Sequence, residues 1–129
     1  HDALPIWGKT MKRVRISIRI CGKSATANLL YVDSKGNQHK SVKKAEKEHG
    51  DTREAVELKA LIAGLKAMRE PVILELSAPA YIEAAIKNGW LNSWVAAGGK
   101  KYSGKQVKCW DLWQQVHSFI QIHILEGNR

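Results

Sequence analysis

A layered α/β domain is the fold class this sequence predicts: a mixed five-stranded sheet, three antiparallel strands then two further strands, flanked by helices. Three observations carry that reading. Arg13–Cys21 (RVRISIRIC) alternates strictly between apolar and polar residues, which is the period of a half-buried strand. Leu58, Leu61, Ile62, Leu65 and Met68 recur at helical spacing. Val72–Leu76 (VILEL) is a short, nearly continuous apolar run, as expected for a strand covered on both faces.

The elements follow in order. Residues 1–12 read as an N-terminal leader and 13–129 as one domain, a size that buries a real core. In the first strand Val14, Ile16, Ile18 and Ile20 form the apolar face, and Arg13, Arg15, Ser17 and Arg19 the basic one. Ala25–Val32 is a second strand. Asp33-Ser34-Lys35-Gly36-Asn37 has turn composition, and Gln38–Lys44 returns as a third, polar strand. Asp51, with Glu54 three positions on, predicts a capped helix over residues 52–69, stopped by Pro71. After the fourth strand, residues 80–87 and 90–97 read as helices separated by Asn88-Gly89. Gly98–Gln106 is a basic glycine-containing loop, Asp111–Phe119 a short helix, and Ile120–Leu125 a final alternating strand.

Charge narrows the partners. The chain of 129 residues carries 21 Lys+Arg against 12 Asp+Glu, a formal net charge of +9. Residues 1–50 hold net +7, residues 51–88 net −1 and residues 89–129 net +3. A small basic domain favours an anionic partner, most often nucleic acid; a solvated lysine-rich surface is the plain alternative. The longest apolar stretch, Phe119–Leu125, is interrupted by Gln121 and His123, and no segment approaches the roughly 18–20 apolar residues of a membrane span. Cys21 and Cys109 lie far apart without a pairing motif and read as free thiols. With no export signal, the expected location is cytoplasmic. The histidines show no ligand spacing with them, so a structural zinc site is not expected.

Several motifs resemble those of the ribonuclease H type 1 family. Gly89–Trp113 (GWLNSWVAAGGKKYSGKQVKCWDLW) resembles the family's W-x-x-x-W helix, basic loop and V-K-N-x-D-L-W helix start. Asp51–Leu65 (DTREAVELKALIAGL) resembles its T-x-N-x-x-E-L-x-A-x-x-x-A-L helix, and Val72–Ile82 its fourth strand followed by D-S-x-Y-V. With Arg13–Cys21 as the first strand, the resemblance spans nearly the whole chain. It implies the RNase H-like fold and, for the family, magnesium-dependent cleavage of the RNA strand in an RNA–DNA hybrid.

The family holds two magnesium ions with four carboxylates, because hard cations close together need several anionic oxygens. Here Arg19 stands at the first position, Glu57 at the second, and Ser77 or Ala78 at the third. The chain stops at Arg129, before the family's C-terminal helix that carries the fourth. Glu57 is thus the one retained candidate catalytic residue, insufficient by itself, and the expectation is a catalytically degenerate domain with no cofactor. Neither Glu75 nor Asp33 offers a ready substitute. Mg²⁺ enters only under the alternative of an active ribonuclease H with non-standard ligands.

The resemblance also implies nucleic-acid contacts. Lys100, Lys101, Lys105 and Lys108 resemble a protrusion that grips the DNA strand, or form a solvated mobile loop. Trp90 either packs on a sugar or base or lies in the core, where Trp94 and Trp113 belong. Arg19 either binds a phosphate or pairs with Glu57. The Asn pair ahead of the helix glutamate is replaced by Arg53 and Glu54, and that of V-K-N by Cys109. Lys40, Lys43, Lys44 and Lys47 read as a solvated sheet edge. The expected partner is an RNA–DNA hybrid or duplex; the alternative is a protein-interaction scaffold domain within a larger parent chain or assembly.

Overall fold

The structure, a computed structural model, describes residues 5, 6, 9, 10, 12–33 and 35–125. Most of the leader, Ser34 of the turn and residues 126–129 lie outside the described residues. Within the leader, β1 (Pro5–Ile6) and β2 (Lys9–Thr10) pair antiparallel.

The alternating segment forms β3 (Arg13–Cys21). It turns at Gly22 into β4 (Ser24–Val32), which passes through Gly36 to β5 (Gln38–Glu46). Both pairings are antiparallel, with Ile16 opposite Leu29 and Tyr31 opposite both Val14 and His39. Directly paired residues share a sheet face. Val14, Ile16, Ile18, Ala25, Ala27 and Leu29 therefore line one side, and all are buried.

That side is covered by α1 (Arg53–Ala67). Thr52 caps it, its side chain accepting from the Ala55 N–H at 3.2 Å. Asp51, the cap expected from sequence, instead accepts from the Glu48 N–H at 3.0 Å and from Lys59 Nζ at 2.7 Å. An ion pair with Lys59 is available only once the helix brings that side chain back over Asp51. The helix closes at Met68, ahead of Pro71. Gly64 lets it settle onto the sheet: a Cβ there would lie 2.5 Å from Ile16 Cδ1 and 3.0 Å from Ala27 Cβ. Leu58, Leu61 and Leu65 are almost fully buried beneath it, each contributing about 1.5–3 kcal/mol by leaving water.

β6 (Ile73–Ser77) pairs parallel to β3, and β7 (Ile124–Leu125) pairs parallel to β6. The strand order is β5-β4-β3-β6-β7, a mixed five-stranded sheet as the sequence predicts. Between the last two strands come α2 (Ala80–Lys87), α3 (Trp90–Ala96) and α4 (Trp110–Ile120). Gly89, at φ +80°, makes the break between α2 and α3. The final strand is shorter than its alternation suggests. Ile120 continues α4 and is buried in the core, and the His123 N–H returns to the Ile120 carbonyl at 3.0 Å, so only Ile124 and Leu125 pair. No helix among the described residues is long and apolar enough to cross a membrane.

Candidate functional site

Glu57 projects from the first two turns of α1 and is only 1% exposed. A carboxylate removed from water needs compensation, because leaving a buried charge unpaired is costly. Two groups supply it. The Tyr81 hydroxyl, brought by the first turn of α2, donates to Glu57 Oε1 at 2.6 Å. Arg53, one helical turn earlier, places Nε 3.7 Å from Oε2, and that oxygen accepts no hydrogen bond from the described residues. Burial, reinforced by the bond to Glu57, pushes the Tyr81 phenol far above its ordinary range, so Tyr81 stays the proton donor. Thr52, Arg53, Glu54, Glu57, Pro79 and Tyr81 enclose a cleft of about 460 Å³.

Arg19 is not among these residues. It lies on β3 opposite Thr26, on the side turned away from the buried Ile16 and Ile18, and its side chain is exposed. The partner expected for Glu57 is thus supplied by Tyr81 and Arg53 instead. The i, i+4 spacing of Arg53 and Glu57 was readable in the sequence. Tyr81 had no such signal, because only the folded chain brings the first turn of α2 to Glu57, 24 residues away.

The other positions of the site are occupied by structural groups. Ser77 is exposed at the end of β6, opposite Ser17. The Ala78 N–H donates to Glu83 Oε2 at 2.9 Å, and Lys87 sits 3.0 Å from Oε1; that N–H, then the Lys87 ammonium, hold the Glu83 carboxyl below its usual range. Glu75 is bound through Oε1 by Arg15 Nη2 at 2.8 Å and Nε at 3.0 Å. Asp33 accepts from the turn N–H groups of Lys35 and Asn37 and meets His39 at 2.9 Å. Among the described residues, no three His, Cys, Asp or Glu side chains converge as a metal-holding group. Glu54 and a buried Glu57 with Arg53 beside it do not fit a pair of magnesium ions, which need several converging anionic oxygens.

The basic loop is internally tied. Lys100 pairs with Gln106, the Lys101 N–H meets the Lys105 carbonyl at 2.8 Å, and the Val107 N–H meets the Gly99 carbonyl at 2.9 Å. Two anchors fix its base. Val107 is buried, and Gly99 at φ +94° lies so close to the Trp110 indole that a Cβ would come 2.5 Å from Nε1. Lys100, Lys101, Lys105 and Lys108 are all exposed, with Tyr102 fully exposed among them. The loop's far end reaches the Glu57 cleft: Cys109, following Lys108, places Sγ 4.0 Å from Thr52 Oγ1 at the α1 cap. Trp113 is buried and packs edge-on against half-buried Trp94 at 5.5 Å, whereas Trp90, at the start of α3, is 48% exposed.

Comparison with known proteins places these features. No protein-family model matches the chain. Over 88 residues it is 38% identical to the ribonuclease H of Caldicellulosiruptor saccharolyticus, covering 66% of this chain and 61% of that protein. Over 84 residues it is 42% identical to the ribonuclease H of Thermus thermophilus, covering 60% and 50%. The matches therefore span about half to three fifths of the length of these curated relatives. Among solved structures, LC9-RNase H1, a type 1 RNase H with the type 2 active-site motif, superposes with a TM-score of 0.71 at 17% identity. That match covers 90% of this chain and 61% of the other.

Proposed function

We propose, from the premise that the chain belongs to the RNase H-like family, that it binds nucleic acid through its basic loop and does not cleave by the two-metal route. The observation that carries this reading is the state of Glu57, which shares its cleft with Glu54: buried, bonded by Tyr81 and flanked by Arg53. Four exposed lysines on a hydrogen-bonded loop adjoin that cleft through Cys109 and Thr52. They supply the positive charge that phosphate backbones attract, and exposed Trp90 offers a stacking surface. Arg19, on the outer side of β3, extends the basic surface as a phosphate contact.

The fate of a labelled RNA–DNA hybrid tests this. Binding should saturate and weaken with salt, with a log–log slope of about −3 to −4 if all four loop lysines meet phosphates. Charge reversal at Lys100 and Lys101 should reduce both affinity and slope, and Arg19→Ala should lower the slope further by about one. No RNA should be cut in Mg²⁺ or Mn²⁺. A second reading, an active ribonuclease H with non-standard ligands, is favoured by relatives that carry that name at 33–42% identity. Cleavage that disappears in Glu57→Gln would establish it and overturn the proposal. Salt-insensitive or absent binding would leave a protein-interaction scaffold.

A further inference from the structure

The sheet extends past the helix that covers it. α1 ends at Ala67, but its side of the sheet continues through Val14, Leu29, Tyr31 and His39, which the strand registers place side by side. The connection from Met68 to Val72 forms the opposite wall. Together they enclose a cleft of about 490 Å³, within the roughly 300–1,000 Å³ typical of small-ligand pockets. It lies at the far end of α1 from Glu57; the ten residues of helical rise from Glu57 to Ala67 separate the two by about 15 Å.

The lining has two chemistries. Val14, Leu29 and Val72 are buried and give an apolar floor, with half-buried Met68 beside them. On that floor sits an aromatic platform: the Tyr31 and His39 rings are stacked, 12° from parallel with centroids 4.6 Å apart, and Lys12 Nζ lies 4.9 Å over the Tyr31 ring. The rim is cationic. Lys12, Lys43 and Arg69 are exposed there, and among the described residues they have no carboxylate partner and Glu70 is the only acid lining the cleft. Asp33, which does not line the cleft, pairs with His39 of its platform at 2.9 Å.

We propose that this cleft binds a nucleotide, with a flat base against the apolar floor and Tyr31–His39 platform and a phosphate on the cationic rim. A planar ring gains stacking and apolar contact there; lysine and arginine supply the charge and donors a phosphate needs. The carbonyl end of α1 repels anions, so the phosphate lies away from it, along β5, where Lys43 projects from the same face as His39 and Ser41. The site is independent of the loop and of Glu57.

Titration of the labelled chain with adenosine diphosphate, followed by amide chemical shifts, tests the assignment. Saturable shifts are expected at Leu29, Tyr31, Lys43 and Met68. Adenosine, lacking the charge, and pyrophosphate, lacking the ring, should each bind at least tenfold more weakly. Lys43→Glu should weaken the diphosphate at least fivefold with the thermal midpoint unchanged. A 5′-phosphorylated tetranucleotide separates the sources: tighter binding than the diphosphate at these residues assigns the cleft to a strand end, weaker binding to a free nucleotide. Shifts confined to Lys100–Lys108, pyrophosphate binding as well as the diphosphate, or no saturation at millimolar concentration would overturn the proposal.

Discussion

The two ends of α1 solve opposite problems with the same helix. At its N-terminal end a carboxylate is driven into the interior, and the neighbouring side chains are committed to it: Tyr81 by a 2.6 Å hydrogen bond, Arg53 by charge. At its C-terminal end the interior is apolar, and the charges stand in water around an open cleft. Buried polar groups demand specific partners, whereas exposed charges are screened and replaceable. The N-terminal end is therefore sensitive to single-atom changes, and the C-terminal end tolerates them.

Paired substitutions measure that contrast. Tyr81→Phe removes one hydroxyl and leaves Glu57 Oε1 buried without its donor, which costs about 1–3 kcal/mol, the penalty of an unsatisfied buried acceptor. His39→Ala removes a whole ring at the other end, yet its losses are an exposed stack and an exposed pairing with Asp33, about 0–1 kcal/mol. Denaturant unfolding of both variants gives the comparison directly. Equal losses would mean that Glu57 is less dependent on Tyr81 than its burial implies. Double substitution with Glu57→Gln should recover part of the Tyr81→Phe loss, since a neutral amide is cheaper to bury than a charge.

A smaller effect, of opposite sign, is expected at Cys109. This residue caps α4 with φ +58°, the only non-glycine residue in the left-handed region among those described. An ordinary side chain held there costs roughly 1–2 kcal/mol, and asparagine tolerates the region better. Cys109→Asn should therefore stabilise the chain by up to about 1 kcal/mol, read as a rise in the denaturation midpoint at constant m-value. A loss instead would give the 4.0 Å contact with Thr52 more weight than the backbone strain.

The same contrast explains what the sequence disclosed. Periodicity reports burial, so β3, α1 and a mixed sheet opening with three antiparallel strands were legible from apolar spacing and from the order of the elements, while the order of the strands across the sheet was not. Boundaries decided by side-chain competition were not: Thr52 caps α1 because Lys59 claims Asp51, and α4 absorbs Ile120 because the core accepts it. Glu57 stood out by its motif, and the loop lysines by their density. Tyr81 as the partner of Glu57 depends on how α2 packs, 24 residues away. The C-terminal cleft is harder still to read, because Lys12, Tyr31, His39, Lys43 and Met68 come from four separate segments that only the sheet register aligns.

Acid should reveal the asymmetry last and least. His123 is buried, accepts the Val72 N–H on Nδ1 at 3.1 Å, and has no hydrogen-bond partner on Nε2 among the described residues. Protonation would turn the accepting nitrogen into a donor facing another donor, within a buried site whose surrounding cavity also holds Lys87 and His117. Burial accordingly depresses the imidazole pKa below its ordinary 6.5. The sign follows: above about 6.5 neither folded nor unfolded chain is protonated at this group, and its contribution is constant. Below that value the unfolded chain takes up the proton first, so stability falls as pH drops toward the folded pKa. Val72 links this to the contrast between the ends, because its side chain floors the C-terminal cleft while its N–H is held by His123. Between pH 7.5 and 5.5, amide protection factors, which are normalised to the intrinsic exchange rate at each pH, should therefore fall at Val72, Ile73 and Ile124 while the amides around Glu57 keep theirs. In His123→Gln, whose side-chain oxygen can still accept from Val72, that fall should vanish; if it persists, another group titrates the sheet edge.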